Sequence, residues 1–278
     1  MIKLGVAIQT PEVPKRVPVA LLEGSLEEKI HKAAQLGYDG VELITTDPTQ
    51  LNQTHLKKEL ASRGLAVSAV ASGGMAFAAG LTLLHPDAAT ASLAEQRLYE
   101  LIDLAWKVGA EIVSIGTFRG RSVGDKERSL ERLADILRRA AVYAAEKNVR
   151  LALEPLNRFE ADLIHTTAEG LDFLRRIDHP AVGLLIDSFH VNIEERSWTQ
   201  PYLQAMQAGR LYYAHVGDNN RWAPGQGLID FPAILQTLCQ AGYDGWLSAE
   251  LLAQPDADSA ARLTAEYMRK NLKEIACN

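Results

Sequence analysis

The sequence predicts an α/β chain folded as a (β/α)8 TIM barrel, a single domain over residues 1–278. Three observations carry this. Eight short apolar runs rich in β-branched residues recur along the chain, amphipathic stretches separate them, and no linker, charge run or low-complexity tract divides the whole. Strands that are apolar almost throughout point to a parallel sheet covered on both faces. Parallel neighbours need long crossovers, which the intervening stretches supply. Barrels of this class run to about 250 residues as one domain.

The elements follow in order. Residues 4–8 form the first apolar run. Ser25 followed by Glu28 is a capping box for the first helix, and Gly37 closes that helix after Leu36. Runs 40–44 and 65–71 are the second and third strands. Residues 71–86, ASGGMAFAAGLTLLHP, then read as a long loop rich in Gly and Ala. Loops after barrel strands build the active face, so this segment is either a wall or lid of a site or a flexible connector. Residues 87–108 read as one long helix, followed by strand 111–116. A second long helix spans 126–147, with Leu130, Leu133, Leu137 and Ala141 on one face. Strand 149–154 follows. Thr166 with Glu169 makes another capping box, ahead of Leu171, Leu174 and Ile177 at helical spacing. Strands 182–187 and 211–216 come next. Asp230 caps a helix with Pro232 in its early turn, and Gly242 ends it before strand 246–250. Gly37-Tyr38-Asp39-Gly40 and Gly242-Tyr243-Asp244-Gly245 repeat one connection: helix stop, tight turn, strand start.

Composition narrows the function classes. The net charge of -6 argues against a general nucleic-acid binder, which would be expected to carry a basic face, and leaves a small polar substrate open. The start, MIKLGVAIQT, turns polar too early for a signal peptide. No apolar run approaches the ~18 residues of a membrane span, so the expectation is a cytoplasmic protein with no membrane partner. Cys239 and Cys277 form no CxxC or Cys/His cluster and are expected to be inert rather than catalytic.

The last four strands end alike. Leu151-Ala152-Leu153 leads to Glu154, Leu184-Leu185-Ile186 to Asp187, Tyr212-Tyr213-Ala214 to His215, and Leu247-Ser248-Ala249 to Glu250. The spacing is close to one βα unit of about 30 residues each time, so the four side chains should stand on neighbouring strands at one height. A charge that ends an apolar strand is costly to bury unless it is paired or bound to metal. Three acids together would repel one another, and one divalent cation removes that conflict. Three carboxylates and an imidazole make an oxygen-rich, fairly hard set that suits Mn²⁺, Mg²⁺ or Co²⁺. The alternative is that all four are ordinary solvated strand ends. The loops that follow are rich in hydrogen-bonding groups, including Asn157, Asn192, Glu194 and Asp218, as a polyhydroxylated ligand would require.

The strings ALEPLNRFE, GLLIDSFHVNIEE, HVGDNNRWAPGQG and GYDGWLSAE resemble the xylose isomerase-like barrel superfamily, and within it the ketose 3-epimerases of the D-tagatose and D-psicose group. The resemblance implies metal ligands at Glu154, Asp187, His215 and Glu250, and substrate contacts at Glu160, His190 and Arg221. It implies dependence on Mn²⁺ or Co²⁺, and a homodimer or homotetramer. It further implies inversion of C3 of a ketose through a cis-enediolate, with Glu154 and Glu250 exchanging the proton. No organic cofactor is expected, and no glycine-rich dinucleotide fingerprint follows the first strand. One stretch departs from the free-sugar enzymes: Gly116-Thr117-Phe118-Arg119-Gly120-Arg121 places two arginines at the rim. It is similar to a subgroup acting on keto-sugar acids such as 5-keto-gluconate. Arg119 and Arg121 either clamp a carboxylate or phosphate or form surface ion pairs. Rival readings are an aldose–ketose or hydroxypyruvate-type isomerase, a polyol dehydratase, an apurinic endonuclease and a sugar-binding protein without catalysis. The endonuclease chemistry uses a three-metal cluster richer in histidine than a chain with seven.

Overall fold

The structure is a computed structural model that describes residues 1–275; Cys277 lies outside the described residues. Eight strands alternate with helices: β1 (Lys3–Gln9), β2 (Gly40–Ile44), β3 (Ala66–Ala71), β4 (Ile112–Ile115), β5 (Arg150–Leu153), β6 (Val182–Asp187), β7 (Leu211–Val216) and β8 (Trp246–Ala249). They close into a barrel in sequence order, every pair parallel, and β8 returns to β1 with Lys3 opposite Trp246. Around them run α1 (Leu26–Gln35), α2 (Gln53–Ser62), α3 (Gly73–Ala79), α4 (Ala88–Val108), α5 (Lys126–Glu146), α6 (Thr167–Ile177), α7 (Ser188–Glu194), α8 (Gln200–Gln207), α9 (Phe231–Gln240) and α10 (Ala257–Ile275). Among the described residues no helix is long and apolar enough to cross a membrane.

Local chemistry explains the boundaries. Both capping boxes form: Ser25 and Thr166 each accept from the backbone of the glutamate three residues on, whose side chain returns the bond. The two Gly-Tyr-Asp-Gly connections fold alike. Gly37 and Gly242 adopt φ of 79° and 75°, and the amides of Tyr38 and Tyr243 bond back to Ala33 and Leu238. A left-handed residue with a bond reaching five positions back is the helix-ending motif that glycine makes cheap. These connections deliver β2 and β8, the two strands that flank β1.

The structure corrects the expectation for residues 71–86. This segment is not wholly irregular, because Gly73–Ala79 forms helix α3. Its Met75 is fully buried, and Gly74 lies so near β2 that a Cβ there would stand 2.9 Å from the Ile44 side chain. Tertiary packing therefore stabilises a helix whose glycine pair disfavours it by about 1 kcal/mol per residue.

The interior of the barrel is unusual beneath its C-terminal mouth. Such interiors are normally filled by branched apolar residues. Here Glu42, Ser68, Tyr213 and Ser248 are fully or almost fully buried in one layer, with Ser114 beside them. Ser68 and Tyr213 share a hydrogen bond of 2.7 Å, and Tyr213 donates to Glu42 at 3.3 Å. Gly5 of β1 faces the same layer, where a Cβ would come within 3.0 Å of Ser68 Oγ and 3.2 Å of Ser248 Oγ.

Candidate metal centre

Asp187 ends β6 and His215 lies within β7, paired across the ladder. Glu154 and Glu250 sit one residue past β5 and β8, so those two strands end earlier than the sequence pattern indicated. Glu154 still holds the register, its amide bonding to Ile115 O at 3.0 Å. The four side chains converge as their spacing implies: one ligand atom from each lies within 4.8 Å of all the others. His215 Nδ1 stands 3.6 Å from Glu154 Oε1 and 3.5 Å from Glu250 Oε2. Gly116 leaves room for the Glu154 carboxylate, which a Cβ at that position would strike.

The electrostatics are those of crowded acids in a dry pocket. Burial, reinforced by the charges of Glu250 and Asp187, pushes the Glu154 carboxyl up to about 7. Burial and Glu250 push Asp187 up to about 6, against the pull of Arg221 and His215. Burial disfavours a charged His215, but Glu42, Glu250 and Glu154 outweigh it and raise the imidazole well above its ordinary value.

Do these residues fit a divalent ion? Glu154 Oε1, Asp187 Oδ2 and His215 Nδ1 are buried and have no hydrogen-bond partner among the described residues. Buried polar atoms are nearly always satisfied, so three orphans facing one point require an explanation. Ligands about 2.1 Å from a small divalent ion stand at most roughly 4.2 Å apart, so a closure of a few tenths of an ångström would complete the set. The donor set fits.

His215 also has a partner on its far side. Its Nε2 lies 3.0 Å and 3.2 Å from the two carboxylate oxygens of Glu42, a fully buried residue of β2. A carboxylate accepting from Nε2–H leaves the Nδ1 lone pair free to face an ion. The sequence reading passed over Glu42, although an acid inside the apolar string Gly-Val-Glu-Leu-Ile was a signal.

A hollow of about 590 Å³ opens above the cluster, lined by Glu154, His215, Glu250, Glu160, His190 and Arg221, with apolar walls that include Val17, Phe77 and Phe189. Segment 71–86 therefore contributes a wall through α3. Arg221 sits at φ 60°, a strained conformation for a non-glycine residue. From there it donates to Glu160 Oε1 at 3.0 Å and Glu250 Oε2 at 2.9 Å, its guanidinium 4.7 Å from the Phe189 ring centroid. His190 accepts at Nδ1 from Asn157 at 2.8 Å, so a neutral ring carries its proton on Nε2. Burial first, then Arg221 and His215, holds its pKa well below the ordinary value, which keeps it neutral. Nε2 points at the cluster, 3.6 Å from Glu154 Oε1.

The arginine pair at the rim needs correction. Arg119 does not face the hollow and forms no surface ion pair. It is fully buried, and its guanidinium donates to the backbone carbonyls of Glu154, Leu163 (2.7 Å) and Ile164 (3.0 Å). The turn Thr117–Arg119 carries the side chain inward, where it satisfies the carbonyls of Glu154 and Leu163 and adds a second bond to Ile164 O, which also accepts from the Leu156 amide at 3.1 Å. Arg121 is exposed and lines a separate hollow. The loop acids are structural. Asp218 accepts from the amides of Asn219, Gly225, Gly227 and Ile229. Glu194 pairs with Arg158, and Asn192 accepts from Trp198.

Comparison with known proteins agrees with this geometry. The family model described as xylose isomerase-like TIM barrel matches residues 30–271. An L-ribulose 3-epimerase of Methylomonas sp. is 30% identical over 232 residues, 81% of this chain and 78% of that protein. An L-ribulose 3-epimerase of Mesorhizobium japonicum is 31% identical over 245 residues, 85% of this chain and 78% of that protein. The crystal structure of a D-allulose 3-epimerase from Methylomonas sp. superposes with a TM-score of 0.81 at 24% identity, covering 98% of each chain.

Proposed function

Since the chain belongs to the xylose isomerase-like TIM barrel family, we propose that it is a sugar epimerase of the ketose 3-epimerase type, inverting C3 of a ketose with one divalent ion held by Glu154, Asp187, His215 and Glu250. The observation that carries the reading is the placement of two glutamates at one point. Glu154 and Glu250 come from strands separated by β6 and β7, yet each carboxylate lies within 3.6 Å of His215 Nδ1. Pure binding does not need two bases around one carbon.

A divalent cation in this set supplies Lewis-acid polarisation of the C2 carbonyl, which acidifies the proton on C3. One glutamate takes that proton, and the electron pair of the C3–H bond moves toward C2 and its oxygen. The other glutamate returns a proton to the opposite face, inverting C3. His190 donates its Nε2–H to a sugar oxygen near C1–C2, held in that tautomer by Asn157. Glu160 accepts from the sugar, and Arg221 fixes Glu160 and Glu250 relative to each other. Phe189 and Phe77 offer apolar faces to the sugar's C–H groups and restrict water.

The test is solvent exchange. Mn²⁺-loaded protein is incubated in D₂O with a panel of ketopentoses and ketohexoses, and the label is located by NMR. Deuterium at C3 of an inverted product is the expected result. Label confined to C1 and C2 would assign an aldose–ketose isomerase instead, and no exchange with any ketose would end the epimerase reading. Glu154→Gln and Glu250→Gln should each lower turnover by at least about 10²-fold. Substantial turnover in either variant would remove that residue as a base.

A further inference from the structure

A second hollow of about 660 Å³ adjoins the first, and the two share Thr117, Leu156 and Glu160 as walls. Pockets of about 300–1,000 Å³ suit drug-sized molecules, so the first hollow alone has room to spare for a hexulose. The second needs a different occupant. It is built rather than left over. Leu83 and Leu84 bond through their amides to the carbonyls of Phe118 and Arg119, which fixes one wall on the other. Arg119 pins that wall to the backbone at Glu154, Leu163 and Ile164. Gly120, at φ 83°, lets the chain pass Thr82, which a Cβ would meet at 3.0 Å. Ser122 fixes the rim through Asp162, which accepts from its amide at 3.1 Å and its hydroxyl at 2.5 Å.

The chemistry of the lining selects the occupant. Arg121 supplies positive charge, but Phe159 O and Glu160 O already take its Nη2 at 3.3 Å and 3.1 Å. Glu160, an acid whose carboxylate is held by Arg221 and Asn157, borders both hollows. With Arg119 turned inward there is no two-arginine clamp. What remains are the hydroxyls of Thr82 and Thr117 beside the apolar surfaces of Leu84, Pro86 and Val123. Hydroxyls and carbonyls at the edge with flat apolar surface below match a sugar ring, which carries polar groups around its rim and C–H groups on its faces.

We propose that this second hollow is a subsite for a neutral glycosyl unit, so that the substrate is a keto sugar bearing a glycosidic substituent at its C1 end, not a free ketose. The inference rests on the epimerase reading, because His190 and Glu160 orient the C1 end toward the junction. Binding energy from a remote unit raises turnover at the reacting carbon when it is used to hold that carbon in place.

The experiment compares fructose with two glucosyl-fructoses, one linked through O1 and one through O6, in the same D₂O assay with Mn²⁺-loaded protein. The O1-linked sugar should exceed fructose in kcat/KM by about tenfold or more, and the O6-linked sugar should not. Val123→Trp and Thr82→Trp, which fill the second hollow away from the ion cluster, should abolish that advantage and leave fructose unchanged. Exchange with fructose and no gain from the O1-linked unit overturns this inference and leaves the epimerase standing. A gain that survives both tryptophan variants also overturns it. No exchange with any of the three sugars overturns both.

Discussion

Glu42 governs which nitrogen of His215 faces the ion site. Its carboxylate takes Nε2–H at 3.0 Å in a fully buried setting, and Tyr213 holds it from the side. Glu42→Gln should weaken Mn²⁺ affinity about 10–100-fold in a chelator competition, the usual cost of losing a partner behind a metal ligand. Unchanged affinity would make Glu42 a packing residue only. Arg119 is the second decisive residue. Arg119→Met takes the guanidinium from the carbonyls of Glu154 and Leu163, while Ile164 O keeps the Leu156 amide, and should cost about 2 kcal/mol or more of stability in urea unfolding. Arg119→Lys, which cannot span all three, should fall between. The strand-end residues Glu154, Asp187, His215 and Glu250 were legible in the sequence, because a charge closing an apolar run is conspicuous at one-unit spacing. Glu42 was not singled out, since its partner is 173 positions away and only barrel closure brings the two together. Arg119 was read at the rim because sequence does not show which way a short turn directs a side chain.

At the scale of elements, the connection from β7 to α9 is organised by one side chain. Asp218, fully buried, gathers four backbone amides and so fixes the turn in which Arg221 takes its left-handed conformation. Asp218→Asn would set an amide group against two of those donors. It should destabilise the protein by about 2–4 kcal/mol and speed hydrogen exchange at Gly225, Gly227 and Ile229. Exchange confined to its wild-type rate would show that the loop holds itself. Strands and long helices were readable from periodicity and caps, as the two capping boxes show. Helix α3 was not: Gly-Gly-Met-Ala-Phe-Ala-Ala has weak local preference, and what forms the helix is Met75 buried in the core with Gly74 against β2.

For the molecule as a whole, the four residues proposed to hold the ion come from four neighbouring strands, so ion binding would depend on the integrity of the barrel. An ion that binds only the folded state adds about 2.7 kcal/mol at a hundredfold excess over its Kd, so Mn²⁺ should raise the melting temperature by several degrees and a chelator should reverse this. Identical melting curves would exclude a tight site. The metal-free protein should also respond to pH. Burial and neighbouring acids hold Glu154 at about 7, above its ordinary 4.5, so between those values the native state keeps a proton that the unfolded chain has released. Its stabilising contribution is therefore full below pH 4.5 and lost as pH rises through 7, the reverse of an ion-paired carboxylate. A metal-free stability profile rising over that window would contradict the assignment. The seam between β1 and β8 has a kinetic consequence. Lys3 meets Trp246 across nearly the whole chain, so the ring closes through the longest loop the molecule contains, and that closure carries its entropy cost before any contact repays it. Until then β1 and β8 are open edges able to pair with the same edges of another chain. Refolding should accordingly be slow and its yield should fall as protein concentration rises, with light scattering recording the chains that found one another before they found themselves.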